Sequence, residues 1–575
     1  MIEYKFSAPT AHQHLLDVEI RFNSIQEQHE FVLQLPAWRP GRYELGNFAK
    51  NIQKFRVTNA KGNALEYQKA TKDTWKVFTD GQESIIVSYT YYAADLNAGS
   101  TFVDTNQIYV NPVNCCMYNP NRINEEISLA LDIPDNYQIA CSLKKQDKHT
   151  LWGKDFEELA DSPLIASATM HHLSFTAKSG LPVHIWVQGE CKPNHERIIT
   201  DFTKYTNWQL DLFQKCPAKE YHYLIQILPF TFYHGVEHTS STVLALGPGY
   251  ALNDSRYDEL LGVACHEFYH VWNIKTIRPA EMWPYDYTKE NYFPTGFVAE
   301  GVTTYMGDYL LWQSGVWSAD EYFREFNGQL QKHFDNFGRF NYSVVQSGFD
   351  NWLDGYVPGV PDRKVSIYVE GCLIAFMTDV LLMKYTNMQK NLHDVMRSLY
   401  NDFYLNNKGY TYDDYVNVVS SHAGKDMAAF FATYAKGTED FKPQLKECLE
   451  WLGLEMREVL TGNLSETHFG YKLIEQGDKT LVSHIHPNSP AAFYELAVND
   501  QLIAVNGFNI RSDGHRWINY FGLFPQELTV WRQGQLLKIN IKPDGKEYYK
   551  QYKLHKLENP NRNQEKMFEY WRTKQ

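Results

Sequence analysis

The sequence predicts a multidomain α+β protein, with a β-sandwich first, a mainly helical middle and a smaller β-rich region near the end. Three observations carry this expectation. At 575 residues the chain is too long for one core and suggests three or four domains. The hydrophobic period changes to 3.6 near residue 195, and short strands return near residue 460. The first region breaks into short β-rich runs separated by turn clusters, the spacing of a sandwich.

In chain order, "HLLDVEIRF", "HEFVLQLP" and "SIIVSYTYYA" read as strands with partial two-residue alternation, and "RPGR", "NAKGN" and "TDGQ" as the turns between them. The middle region opens with a β portion, "YHYLIQILPFTFYHGVEHTSSTVLAL", and then turns helical. Ser255 with Asp258, Ser318 with Glu321 and Thr411 with Asp414 have the spacing of capping boxes, each opening a helix. "YVEGCLIAFMTDVLLMKY" is apolar nearly all round, which predicts a buried helix. Strands return in "FGYKLI", "TLVSHIHP", "DQLIAVNG" and "ELTVWRQGQLLKINI". The polar last 30 residues fit either a docked terminal helix or a loose tail.

Composition narrows the function classes. A net charge of −13 gives no basic footprint, so no nucleic-acid partner is expected. No apolar run of about 18 residues is present, so no membrane span is expected. "MIEYKFSAPTAHQHLL" lacks a basic and then apolar leader, and eight scattered cysteines form no disulfide framework, so a cytoplasmic location with reduced thiols is the expectation.

The stretch "ACHEFYHVWN" carries chemistry. Residues four apart share a helix face, so His266 and His270 can aim ring nitrogens at one point about 2.1 Å from each. Glu267 sits about 100° around from His266, the place of a general base rather than a ligand. Glu300, 30 residues after His270 on a second helical stretch, "GFVAEGVTTYMGDYLL", supplies a third ligand. Two histidines and a glutamate leave one zinc position open, as in catalytic sites.

"HEFYHVWNIKTIRPAEM" followed by "VAEGVTTYMGDYL" resembles the PDZ-containing glycyl aminopeptidases, zinc peptidases related to aminopeptidase N and thermolysin. Trp272, Asn273, Lys275, Arg278 and Pro279 agree with that family's continuation of the motif, and "LPAWRPGRY" (35–43) resembles a signature of its N-terminal β-domain. The resemblance implies a sandwich over 1–180, a thermolysin-like catalytic domain over 181–455, a PDZ domain over 456–545 and a tail or helix over 546–575. It also implies one zinc ion per chain and an aminopeptidase acting on peptides with free N-termini, with small first residues such as Gly or Ala preferred.

Further residues come from the resemblance alone. "HGVEH" (234–238) is similar to the strand bordering the substrate in aminopeptidases, which implies a substrate role for Gly235, Glu237 and His238, with Glu237 holding the free α-amino group. The related enzymes have Asn where this chain has His238. "IYVEG" (367–371) resembles the Tyr-x-x-Gly of aminopeptidases, making Tyr368 the oxyanion donor. Thermolysin-like enzymes often place an acid four residues after the ligand glutamate to orient a ligand histidine; Thr304 stands there, so such a carboxylate must come from elsewhere or be absent.

"NSPAAFYELAVNDQLIAVNG" (488–507) resembles the helix-then-strand core of a PDZ domain, with Phe469, Gly470 and Tyr471 in the loop that would take a C-terminal carboxylate. Two other readings stay open: a zinc endopeptidase that uses the PDZ domain to present protein tails, and a non-catalytic peptide-binding scaffold. Oligomeric state is not readable from the sequence.

Overall fold

In the strand Leu15–Asn23, Leu16, Val18, Ile20 and Phe22 are buried while their neighbours are more open, the two-residue alternation of a sheet with one face in a core. Such strands build a β-rich region extending to Leu164–Ser167, in a seven-stranded, a four-stranded and a three-stranded sheet. The computed structural model describes residues 1–25, 29–356 and 359–573. The four-stranded sheet lays Tyr109, Ala140 and Ile165 against Trp186, Leu224 and Val243 of the next region, so the expected sandwich does not stand alone.

The strand His171–Thr176 (β1) does not join the sheets before it. It pairs with Pro182–Gln188 (β2), so the sheet of the second region starts upstream of residue 181. After the helix His195–Phe213 (α1) come Tyr221–Ile227 (β3), Phe232–Glu237 (β4) and Ser241–Gly247 (β5). The sheet runs β1-β2-β3-β5-β4, which leaves β4 at an edge. The helix Tyr257–Tyr269 (α2) follows. Its expected cap at Ser255 is not made: Arg256 is the first flanking residue, and no side chain bonds the helix start. The chain before it runs through turns rather than arriving extended, as a capping residue would need to.

A π-helical turn, Phe297–Val302, leads into Thr303–Gln313 (α3). Ala319–Asp335 (α4) opens with the expected Ser318–Glu321 capping box, and the Thr411–Asp414 box forms as well. Ile367–Tyr385 (α5) is the apolar helix, almost wholly buried.

Beyond residue 453, Leu454–Leu460 pairs with Lys550–Lys556. Between them lies a unit with its own core, including Phe469, Val482, Leu502 and Val530, and its own sheet, in which Tyr471–Gln476 is an edge strand. The chain ends in a docked helix, Arg562–Thr573 (α6). Trp571 is fully buried, its indole N–H donates to Tyr305 Oη at 2.9 Å, and its carbonyl accepts from Gln313 Nε2 at 2.9 Å. Among the described residues no helix is long and apolar enough to cross a membrane.

Candidate active site

His266 lies in the last turn of α2 and His270 immediately follows it, one helical turn apart. Their Nε2 atoms approach to 3.0 Å, and Glu300 Oε2 lies 3.9 Å from His266 Nε2 and 3.5 Å from His270 Nε2. Donors arranged tetrahedrally about 2.1 Å from one ion stand roughly 3.4 Å apart, so this triangle fits a small divalent cation. The chemistry of the rings agrees. His270 Nδ1 donates to the Asn273 carbonyl at 2.5 Å, so Nε2 is the nitrogen the neutral ring would offer to a cation. The Thr303 backbone also holds the His266 ring.

The surrounding field is anionic. Glu237, Glu267 and Glu300 are all buried. Burial pulls the His270 imidazole down, yet Glu300, Glu237 and Glu267 outweigh it and lift its pKa to about 10. Burial, with the added repulsion of Glu237 and Glu300, pushes the Glu267 carboxyl well above the usual range, against the pull of His270 and Arg39.

Two glycines set the approach of neighbouring elements to α2. A Cβ on Gly235 would lie 2.2 Å from Glu267 Oε1, so only glycine lets β4 pass flush against Glu267. On the other side, a Cβ on Gly307 of α3 would come within 3.1 Å of His266. Glu237 ends β4, buried, with Oε1 lacking a hydrogen-bond partner among the described residues. Tyr368, at the start of α5, has its ring 6.5 Å from that of His266. Burial first, then Glu300, holds its hydroxyl far above its ordinary pKa, so it remains a donor.

Two family models match the chain: the Peptidase M61 N-terminal domain over residues 3–168 and the M61 glycyl aminopeptidase over residues 259–374. The chain carries both M61 domains and is a metallopeptidase. Among solved structures it is similar to an aminopeptidase N family protein from Idiomarina loihiensis, at 23% identity and a TM-score of 0.91 over 100% of each chain, which shows a shared fold. It is also similar to an M1 zinc metallopeptidase from Deinococcus radiodurans bound to a Tyr-Ser-Ala substrate, at 12% identity and a TM-score of 0.46 over 76% of this chain and 94% of that one. No curated protein matches the sequence.

A loop of the β-rich region reaches the same cluster. Within "LPAWRPGRY", Tyr43 Oη donates to Glu300 Oε1 at 2.8 Å, and its backbone N–H donates to Tyr356 Oη at 3.2 Å. Gly41 has φ +85°, and a Cβ there would lie 2.4 Å from Glu237 Oε2. Trp38 anchors the loop, its indole N–H donating to the Asp286 carbonyl at 2.7 Å. The β-rich region therefore forms one wall of the cluster around His266, His270 and Glu300. The signal in the sequence was Trp, Pro, Gly and two arginines packed into nine residues.

Three further sets of residues named from the sequence have the following surroundings. The support for His270 is the Asn273 carbonyl, not a carboxylate, and the Asn273 side chain is itself fixed by donating to the Val298 and Ala299 carbonyls. His238, expected beside the substrate, turns its Nδ1 to Asp161 at 3.1 Å, because Asp161 of the β-rich region and Lys275 share that pocket. Phe469, Gly470 and Tyr471 lie in the separate C-terminal unit. There the Phe469 and Tyr471 side chains fill its core, and the Gly470 carbonyl accepts from the His486 backbone at 2.8 Å.

Proposed function

We propose that this metallopeptidase is a zinc aminopeptidase, removing small N-terminal residues such as Gly or Ala, with one ion per chain held by His266, His270 and Glu300. The observation that carries the exopeptidase reading is Glu237: a buried carboxylate with an unpartnered oxygen, two residues along an edge strand from the glycine that touches Glu267. A zinc ion there would polarise the scissile carbonyl and acidify the attacking water. Glu267 takes the proton from that water and returns it to the leaving amine. Tyr368 donates to the developing oxyanion. Glu237 binds the substrate ammonium, and the peptide lies along the free edge of β4, running from Glu237 towards Phe232.

The crowding of Gly41 against Glu237 supports small first residues, since the loop leaves little room beside the amino group. In the C-terminal unit, Gly470 at φ +75° just before the edge strand Tyr471–Gln476 supports a PDZ-like module that takes a C-terminal peptide.

Replacing Glu237 with Gln removes the charge but keeps the shape. A charge-assisted bond worth about 1.5–3 kcal/mol predicts a kcat/KM loss of roughly 10- to 150-fold on an alanyl anilide. N-acetylation of the substrate should abolish cleavage by the parent enzyme. Comparable cleavage of free and acetylated substrates would instead make the protein an endopeptidase.

A further inference from the structure

Beside the catalytic centre opens a cleft of about 320 Å³, lined by Phe232 and His234 of β4 on one side and by Arg39, Arg42 and Lys50 of the β-rich region on the other. His234 immediately precedes Gly235, the residue against Glu267, so the cleft takes over where the reacting bond would lie. It therefore faces the leaving part of a peptide whose amino group is at Glu237.

The cations of this cleft are not equivalent. Arg42 is paired with Glu44 and lies over the Tyr356 ring, 4.9 Å from its centroid. Lys50 is exposed. Arg39 is buried, only 6% exposed, yet among the described residues no carboxylate comes within ion-pairing distance. Its one hydrogen bond is a long one, Nη1 to the Pro40 carbonyl at 3.4 Å. A guanidinium has five donors, and those of Arg39 without a protein partner stay open to the cleft, where an anion would meet them. Burial, the main cause, and Arg42 lower its pKa, with Glu237 close enough to oppose them. Gly99 makes room for it, since a Cβ there would lie 2.1 Å from Nη2.

The amino site is near enough for Glu237 to act on the Arg39 charge. Arg39 sits two residues from Gly41, whose missing Cβ would touch the Glu237 carboxylate. An extended peptide spans about 3.3–3.6 Å per residue, so a carboxylate received this near the amino site belongs to a short peptide. We propose that Arg39 receives the α-carboxylate of the substrate, and that the enzyme's substrates are di- and tripeptides with a free C-terminus. The inference rests on the aminopeptidase reading above and adds the substrate class to it. A planar carboxylate and a guanidinium make the bidentate, charge-assisted pair that discriminates strongly against a neutral terminus.

The test compares Ala-Ala and Ala-Ala-Ala as free acids with their C-terminal amides, with an alanyl anilide as reference. In the parent enzyme the acids should exceed the amides in kcat/KM by about tenfold or more, and the advantage should fade on lengthening to a hexapeptide. In Arg39→Gln the acid-to-amide ratio should collapse to near one. Acids and amides within twofold of each other in the parent enzyme would overturn the proposal without recourse to any variant. So would an Arg39→Gln enzyme that loses acid and amide turnover equally, which would make Arg39 merely a counter-charge for Glu237. An enzyme that cleaves the anilide and fails the comparison overturns this inference alone. One that cleaves neither anilide nor peptide overturns the aminopeptidase reading beneath it.

Discussion

The two oxygens of Glu300 have different tasks: Oε2 faces the paired histidine nitrogens, while Oε1 accepts from Tyr43 at 2.8 Å. Burial, then Glu300 and Glu237, push the Tyr43 hydroxyl far above its ordinary pKa, so it donates at any working pH. Removing that hydroxyl leaves a buried carboxylate oxygen unsatisfied, a cost of about 1–3 kcal/mol. Tyr43→Phe should therefore weaken metal affinity by roughly 10- to 100-fold, read by competition with a chelator, and activity should recover on adding metal. Unchanged affinity in that variant would leave Tyr43 with a packing role only. At this scale the meeting of His266 and His270 was legible, because helical spacing alone brings them together. Tyr43 was not, because 257 residues separate it from Glu300 and no local period registers such a pairing.

Elements show the same division. The capping boxes at Ser318 and Thr411 formed as read, since every group in them lies within one turn, whereas Ser255 failed because the chain ahead of it is not extended. The glycine of the Tyr-x-x-Gly segment was carried over without a reason, and the packing supplies one. A Cβ on Gly371 would lie 2.6 Å from Gly301 Cα, and a Cβ on Gly301 would lie 2.2 Å from Gly371 Cα. The two glycines let α5, with Tyr368, cross directly on the turn that carries Glu300. Gly371→Ala must push these elements apart, an overpacking of about 1–3 kcal/mol. Its melting temperature should fall, and kcat should fall by more than tenfold because Tyr368 and Glu300 move relative to each other. Gly328→Ala on α4, where a Cβ meets nothing within 4 Å, should melt at or above the parent temperature. A Gly371→Ala enzyme with parental melting and kcat would show that the close crossing is not needed.

For the whole molecule, the order of β-rich, helical and β-rich regions was readable from periodicity. How the first region closes on the second was not, because its partners lie far apart in sequence. Asp161 is the centre of that contact. It accepts from Lys275 Nζ at 2.7 Å, from the Thr239 backbone at 2.9 Å and from the Thr239 hydroxyl at 2.6 Å, with His238 at 3.1 Å. Burial alone would raise the Asp161 pKa; Lys275 and His238 outweigh it and hold it well below the carboxylate range. A carboxyl with a depressed folded pKa contributes stability above its unfolded value, near 3.9, and that contribution drains away as pH falls below it. His238, lowered mainly by burial, stays neutral at pH 7, so Lys275 carries the opposing charge there. Asp161→Asn leaves that ammonium buried without its partner, which costs about 3–5 kcal/mol. At pH 7 the variant should melt well below the parent. Between about pH 4 and pH 3 the gap should narrow, because the unfolded parent then takes up a proton on Asp161 that the folded parent, with its depressed pKa, does not, and the parent loses stability that the variant does not. A gap that holds constant to pH 3 would mean that the ion pair does not join the regions, and that the apolar contacts of Tyr109 and Ile165 with Leu224 and Val243 hold them together.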